Sequence, residues 1–119
     1  MNDIQLGAAE ERFAEIIWEN EPLSSAELCR RAESVLGWKK STVYTVLRRL
    51  CEKGIAANEH GTVTALISRA ELDTVRSEQV VFESFSGSLP AFIAAFTRKN
   101  KLTSEEINEI RRMIAEHEE

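Results

Sequence analysis

Between Gly37 and Gly54 the sequence reads GWKKSTVYTVLRRLCEKG, and its hydrogen-bonding side chains recur at helical spacing. At about 100° per residue from Ser41, the side chains Val43, Val46, Leu47 and Leu50 share one sector, roughly a third of the circle. The opposite sector holds Ser41, Thr45, Arg48 and Glu52, bordered by Tyr44 on one side and by Thr42 and Arg49 on the other. All of these except Glu52 can donate a hydrogen bond. A helix that enters a major groove N-terminus first needs short hydrogen-bonding groups where its backbone lies closest to the bases. It also needs long cations that reach base edges or phosphates. Ser41, Thr42 and Thr45 meet the first need and Arg48 the second, while the threonine methyls and the Tyr44 ring suit a thymine methyl. Lys39 and Lys40, expected just before the helix, would offer a phosphate both their charge and the free N–H groups of the helix terminus. Threonine is a mediocre helix former, and arginines on an exposed face are often only solvated charge. The neighbouring elements decide between the two readings.

The chain of 119 residues carries a formal net charge of −5, which for a whole domain argues against nucleic acid. Its distribution argues otherwise. Residues 1–37 hold three basic against eight acidic side chains, residues 38–53 five basic against one acidic, and residues 54–119 seven basic against eleven acidic. The positive charge is gathered in the stretch that carries the donor-rich face.

The elements around that stretch follow from periodicity and caps. Ala9, Phe13, Ile16 and Ile17 recur at helical spacing, predicting a first helix from Ala8 to about Asn20, ended before Pro22. Ser24 with Glu27 three residues later is a capping-box pattern that opens a second helix, with Leu28 inward. A third helix runs from about Ser41 to Lys53, and Gly54 supplies its left-handed stop. Beyond it IAANEHGTVTALIS, broken at His60-Gly61, predicts a two-stranded hairpin. Ser68 with Glu71, Ser88 before Leu89-Pro90, and Thr103 with Glu106 open three further helices. The fold class is thus mainly α with a small β-hairpin: a winged helix-turn-helix domain over residues 1–69, followed by a helical region over 70–119 that serves dimerisation.

That last region carries more apolar surface than three short helices can enclose. Phe82, Phe85, Leu89, Phe92, Phe96, Ile107, Ile110, Met113 and Ile114 form stripes at three- and four-residue steps. A two-fold interface between copies of the chain would cover them and would hold two third helices about one DNA turn, or a multiple of it, apart. The alternative is that they fold back on the first domain as a single core.

Other chemistry finds little support. The two histidines lie apart, and there is no phosphate-binding glycine loop, metal-ligand spacing or nucleophile-base arrangement, so neither an enzyme nor a metal or other cofactor is expected. Cys29 and Cys51 read as plain, partly buried thiols. No apolar run approaches the length of a membrane span and the N-terminus is acidic, which predicts a cytoplasmic protein without a membrane partner. The wing is expected to be weak: Asn58, His60 and Thr62 are its donors, and Glu59 repels phosphate. A protonated His60 would add a positive charge, although the position suits a plain turn residue better. A winged-helix module that binds protein instead of DNA fits the acidity but not the donor-rich third helix.

The stretch WKKSTVYTVLRRLCEKGI resembles the recognition-helix signature of the penicillinase-repressor family, the BlaI, MecI and CopY type of winged-helix repressor. AAEERFAEIIWENEPLSSAEL is similar to the family's first two helices, with Trp18 ending the first, and FSGSLPAFIAAF with LTSEEINEIRRMI is similar to its dimerisation region. The Thr-x-Tyr-x-x-Leu element by itself also occurs in PadR-like winged-helix regulators; both flanks point to the penicillinase-repressor type. The resemblance implies a homodimeric repressor on a palindromic, double-stranded operator, with DNA contacts at Lys39, Lys40, Ser41, Thr42, Tyr44, Thr45 and Arg48. In β-lactam-responsive relatives induction resembles cleavage of an Asn-Phe bond, where this chain has Ala95-Phe96. Copper-responsive members bind metal through cysteines near the C-terminus, whereas no cysteine follows Cys51 here. No motif in the chain specifies an inducing protease or ligand.

Overall fold

The computed structural model describes residues 5–118. Four helices and a small sheet build the first part: α1 (Ala8–Asn20), β1 (Leu23–Ser24), α2 (Ser25–Leu36), α3 (Lys40–Glu52), β2 (Ala56–Glu59), β3 (Thr62–Ala65) and the start of α4 (Arg69–Phe85). The rest of α4, with α5 (Leu89–Phe96) and α6 (Ser104–Glu118), forms a second compact unit that begins at Glu78. Among the described residues no single helix is long and apolar enough to cross a membrane.

Side-chain caps set most of the helix starts. Ser24 accepts from the Glu27 N–H at 3.0 Å, Ser68 from Glu71 at 3.0 Å, Ser88 from Ala91 at 3.1 Å and Thr103 from Glu106 at 3.0 Å. At α4 and α6 the box is complete, because Glu71 and Glu106 accept from the Ser68 and Thr103 N–H groups in return. At α2 only half of the expected box forms. The Glu27 carboxylate turns instead to Arg30 and Arg31, one turn further along the helix. Those cations hold its carboxyl below the ordinary range, Arg30 most strongly. Gly37, with φ 71°, ends α2 in the left-handed conformation and turns the chain into α3 within three residues.

The predicted hairpin is present but belongs to a three-stranded antiparallel sheet of order β1-β3-β2. Leu23 pairs with Val63 and Ser24 with Thr62, adding a two-residue strand too short to show any alternation in the sequence. His60 (φ 54°) and Gly61 (φ 88°) both take positive φ in the turn, the geometry that matches strand twist in a two-residue hairpin. Asn58 Oδ1 accepts from the Gly61 N–H at 3.1 Å and closes it.

The core of the first unit joins Phe13, Ile17, Leu28, Val43, Leu47, Leu50, Ile55, Val63 and Leu72. Trp38 stacks on Phe13 with ring centroids 5.3 Å apart. Leu72 lies fully within this core and Val75 packs against it, so the first two turns of α4 belong to the winged domain. The first compact unit therefore runs to Ser77, inside α4. Past Leu72 no described residue is buried.

Candidate nucleic-acid interface

The core anchors α3 along one side: Val43 and Leu50 are fully buried, Leu47 nearly so, and Val46 is 6% exposed. That fixes the rotation of the helix and turns Ser41, Thr42, Thr45, Arg48 and Arg49 outward, all exposed. Lys39 is the N-cap, with extended backbone and no side-chain cap, and Lys40 is already the first helical residue instead of preceding it. The terminus of α3 has no acidic side chain in its first turn. Two lysines at the positive end of a helix dipole are locally unfavourable, so this end is suited to receiving an anion. Among the described residues no ion pair engages Lys39, Lys40 or Arg48, and Lys40 Nζ stands 6.0 Å from the centroid of the Tyr44 ring.

Within this face the groups are not equivalent. Thr45 Oγ1 donates to the Ser41 carbonyl at 2.9 Å, which leaves its methyl and lone pairs outward but engages its proton. Tyr44 is half-buried and its hydroxyl donates to Ser25 Oγ at 3.3 Å, in the first turn of α2. That hydroxyl thereby joins α3 to α2. Ser25 itself was not among the residues expected at this site. Its N–H donates to the Gly61 carbonyl at 2.8 Å, so one residue ties α2, α3 and the wing turn together. Nothing in a capping pattern distinguishes it from Ser24; only the packing of α2 on α3 does.

One of the five cations of the stretch, Lys53, faces away. Lys53 Nζ donates to Glu10 Oε2 at 3.2 Å and to the Gln5 carbonyl at 2.6 Å. Burial raises the Glu10 carboxyl, but the Gly7 N–H, Lys53 and the charge of Arg49 outweigh it and hold the group below the ordinary range. Arg49, although its charge is felt at Glu10, is exposed, and among the described residues neither it nor Lys39, Lys40 or Arg48 forms an ion pair.

The wing offers little. Asn58 uses Oδ1 in the turn; His60 and Thr62 are exposed beside Glu59, and residues 56–65 contain no lysine or arginine. Between the wing and α3 lies a hollow of about 260 Å³ lined by Tyr44, Leu47, Arg48, Cys51 and Asn58. Burial and the neighbouring Glu52 push the Cys51 thiol up against an opposing hydrogen bond from the Asn58 N–H, so it stays protonated at neutral pH.

The model of the penicillinase repressor family matches residues 6–116. The chain belongs to that family. It is 29% identical over 118 residues to the penicillinase repressor of Bacillus licheniformis, spanning 95% of this chain and 91% of the relative. It is 22% identical to the methicillin resistance regulatory protein MecI of Staphylococcus aureus over 114 residues, 92% of this chain and 93% of that one. Its fold is similar to the solution structure of monomeric Bacillus licheniformis BlaI in complex with the blaP half-operator. The TM-score is 0.50 at 24% identity, covering 57% of this chain and 88% of that one. The family is one of repressors, not of enzymes, and this repressor-family chain has the mainly helical winged fold with its small sheet.

The second unit of this family member exposes its apolar stripes. Phe82 and Leu89 are each 55% exposed, Met113 60% and Ile114 56%; Phe96 and Ile110 are also exposed, and Phe85, Phe92 and Ile107 are half-buried. Phe92 meets Phe85 edge-on at 5.5 Å and stacks with Phe96 at 6.4 Å. A groove of about 310 Å³ follows, lined by Phe92, Ile93, Phe96, Leu102 and Ile110 among others. Ala95-Phe96 forms the last turn of α5.

Proposed function

We propose that this protein is a homodimeric transcriptional repressor that binds a palindromic operator, with α3 of each protomer in the major groove of one half-site. The observation that carries the reading is the face of α3. It presents Ser41, Thr42, Thr45 and Arg48 outward, beside two lysines that have no acidic partner among the described residues, while its opposite face is locked into the core. Thr45 and Arg48 read base edges; Ser41 and Thr42 lie where the backbone comes nearest the bases; Lys39, Lys40 and Arg49 hold phosphates. Tyr44 contributes through its brace to Ser25. The wing adds weakly through His60 and Thr62, and the operator DNA places the protein's work in the cytoplasm. The operator bound by the BlaI relative supports DNA as the ligand class.

Dimerisation is supported by the lack of any buried residue past Leu72 among the described residues, although this part is rich in phenylalanine, isoleucine and leucine. The stripe from Phe82 to Ile114 supplies the interface, and the DNA-binding part extends through the first two turns of α4. In vitro selection of duplexes from a random pool tests the reading. Enrichment of an inverted repeat is expected; enrichment of nothing, or of a single unrepeated site, would overturn it.

A further inference from the structure

α4 runs unbroken from Arg69 to Phe85, yet its first two turns belong to the winged unit and the remainder to the other. Those turns are fastened to α1 by more than the burial of Leu72. Glu11, half-buried on α1, accepts from Arg69 Nη1 at 2.9 Å and from Arg76 Nη1 at 2.8 Å. Arg69 also pairs with Glu15, and its guanidinium lies 5.1 Å from the centre of the Trp18 ring. Trp18 Nε1 in turn donates to the Ile67 carbonyl at 2.9 Å, two residues before α4 begins.

The geometry is that of a clamp. Residues seven apart in a helix lie on the same face, about 10 Å from each other along the axis. Arg69 and Arg76 therefore bring two separated points of α4 to one carboxylate on α1. A single buried leucine acts as a pivot; two arginines on one acceptor resist both rotation and tilt about it. Partly exposed ion pairs add little to global stability, so the effect is chiefly on direction and only slightly on folding. None of these residues lies on α3.

We infer that Glu11 is a positioning residue, and that its cluster with Arg69, Arg76 and Trp18 makes the root of α4 a rigid part of the DNA-binding unit, so that the dimer selects one operator half-site spacing. This rests on the reading of the chain as a dimer on a palindrome. A loosened root leaves each half-site interaction intact but lowers the effective concentration of the second protomer at its site.

The test uses full-length wild type, Glu11→Gln, Arg76→Gln and Trp18→Phe. Each is measured against a single half-site, the preferred palindrome, and palindromes with one base pair inserted or removed, a change that rotates the half-sites by about 34°. Melting curves are recorded to establish folding. Half-site affinity should stay within about twofold of wild type, while the preferred palindrome is bound about tenfold more weakly and the penalty for altered spacing shrinks to about threefold or less. Folded variants with the wild-type spacing profile, or a half-site loss equal to the palindrome loss, would sink the inference alone. A wild type that binds the palindrome no better than the half-site would sink the dimeric reading, and the inference with it.

Discussion

At the scale of single residues, the division of α3 into a buried and an exposed face was legible because one period, 100° per residue, sorts every side chain. What each exposed group does was less so, since its partners are distant in sequence. Tyr44 finds Ser25, 19 residues away, and Lys53 finds Glu10, 43 away. The Thr45 hydroxyl proton is engaged with the Ser41 carbonyl, so the methyl becomes the part that can discriminate a base. Thr45→Val should therefore keep base preference at its position, whereas Thr45→Ser should relax it by about 1–3 kcal/mol, as should Arg48→Ala, when affinities are compared across single-base operator variants. Lys40→Ala should weaken all sequences alike.

At the scale of elements, the cap residues were legible because Ser or Thr followed three residues later by Glu states its own geometry, and Ser24, Ser68, Ser88 and Thr103 all cap. The reciprocal half at Glu27 was lost to two arginines, and β1 to its length. The extent of the winged domain into α4 was hidden because Leu72 and Val75 have the same spacing as the stripe that follows them. Ser68→Ala should cost about 1 kcal/mol in chemical denaturation through the lost cap. Leu72→Ala should cost about 2–5 kcal/mol, since it empties a fully buried site. Glu11 is held below its ordinary value of 4.5, chiefly by the hydrogen bond from Arg76. A depressed carboxyl contributes stability that is present above the unfolded value and lost as pH falls through the folded one. The stability difference between wild type and Glu11→Gln should thus be full at pH 7 and shrink steadily below about pH 4.5, read from urea midpoints across that range.

At the scale of the whole molecule, the acidic average concealed a cationic site, and only counting by segment brought it out. Surplus apolar residues after Leu72 were legible as an incomplete core, because three short helices have too little interior for them. Sedimentation equilibrium at micromolar concentration should show a dimer. Ile110→Glu with Met113→Glu should make it monomeric and lower palindrome affinity by about a hundredfold or more, with the half-site affinity kept.

The proposed binding of operator phosphates and bases by α3, through Lys39, Lys40, Arg48 and Arg49 in both protomers, rests on its cationic, donor-rich face. It is tested most directly by titrating salt against affinity for the selected palindrome. Six lysine and arginine contacts to phosphate, three from each protomer, predict a slope of about −5 in log affinity against log salt. Lys40→Ala should reduce that slope by about two, one for each protomer. A flat salt dependence, or a slope unchanged in Lys40→Ala, would contradict the account.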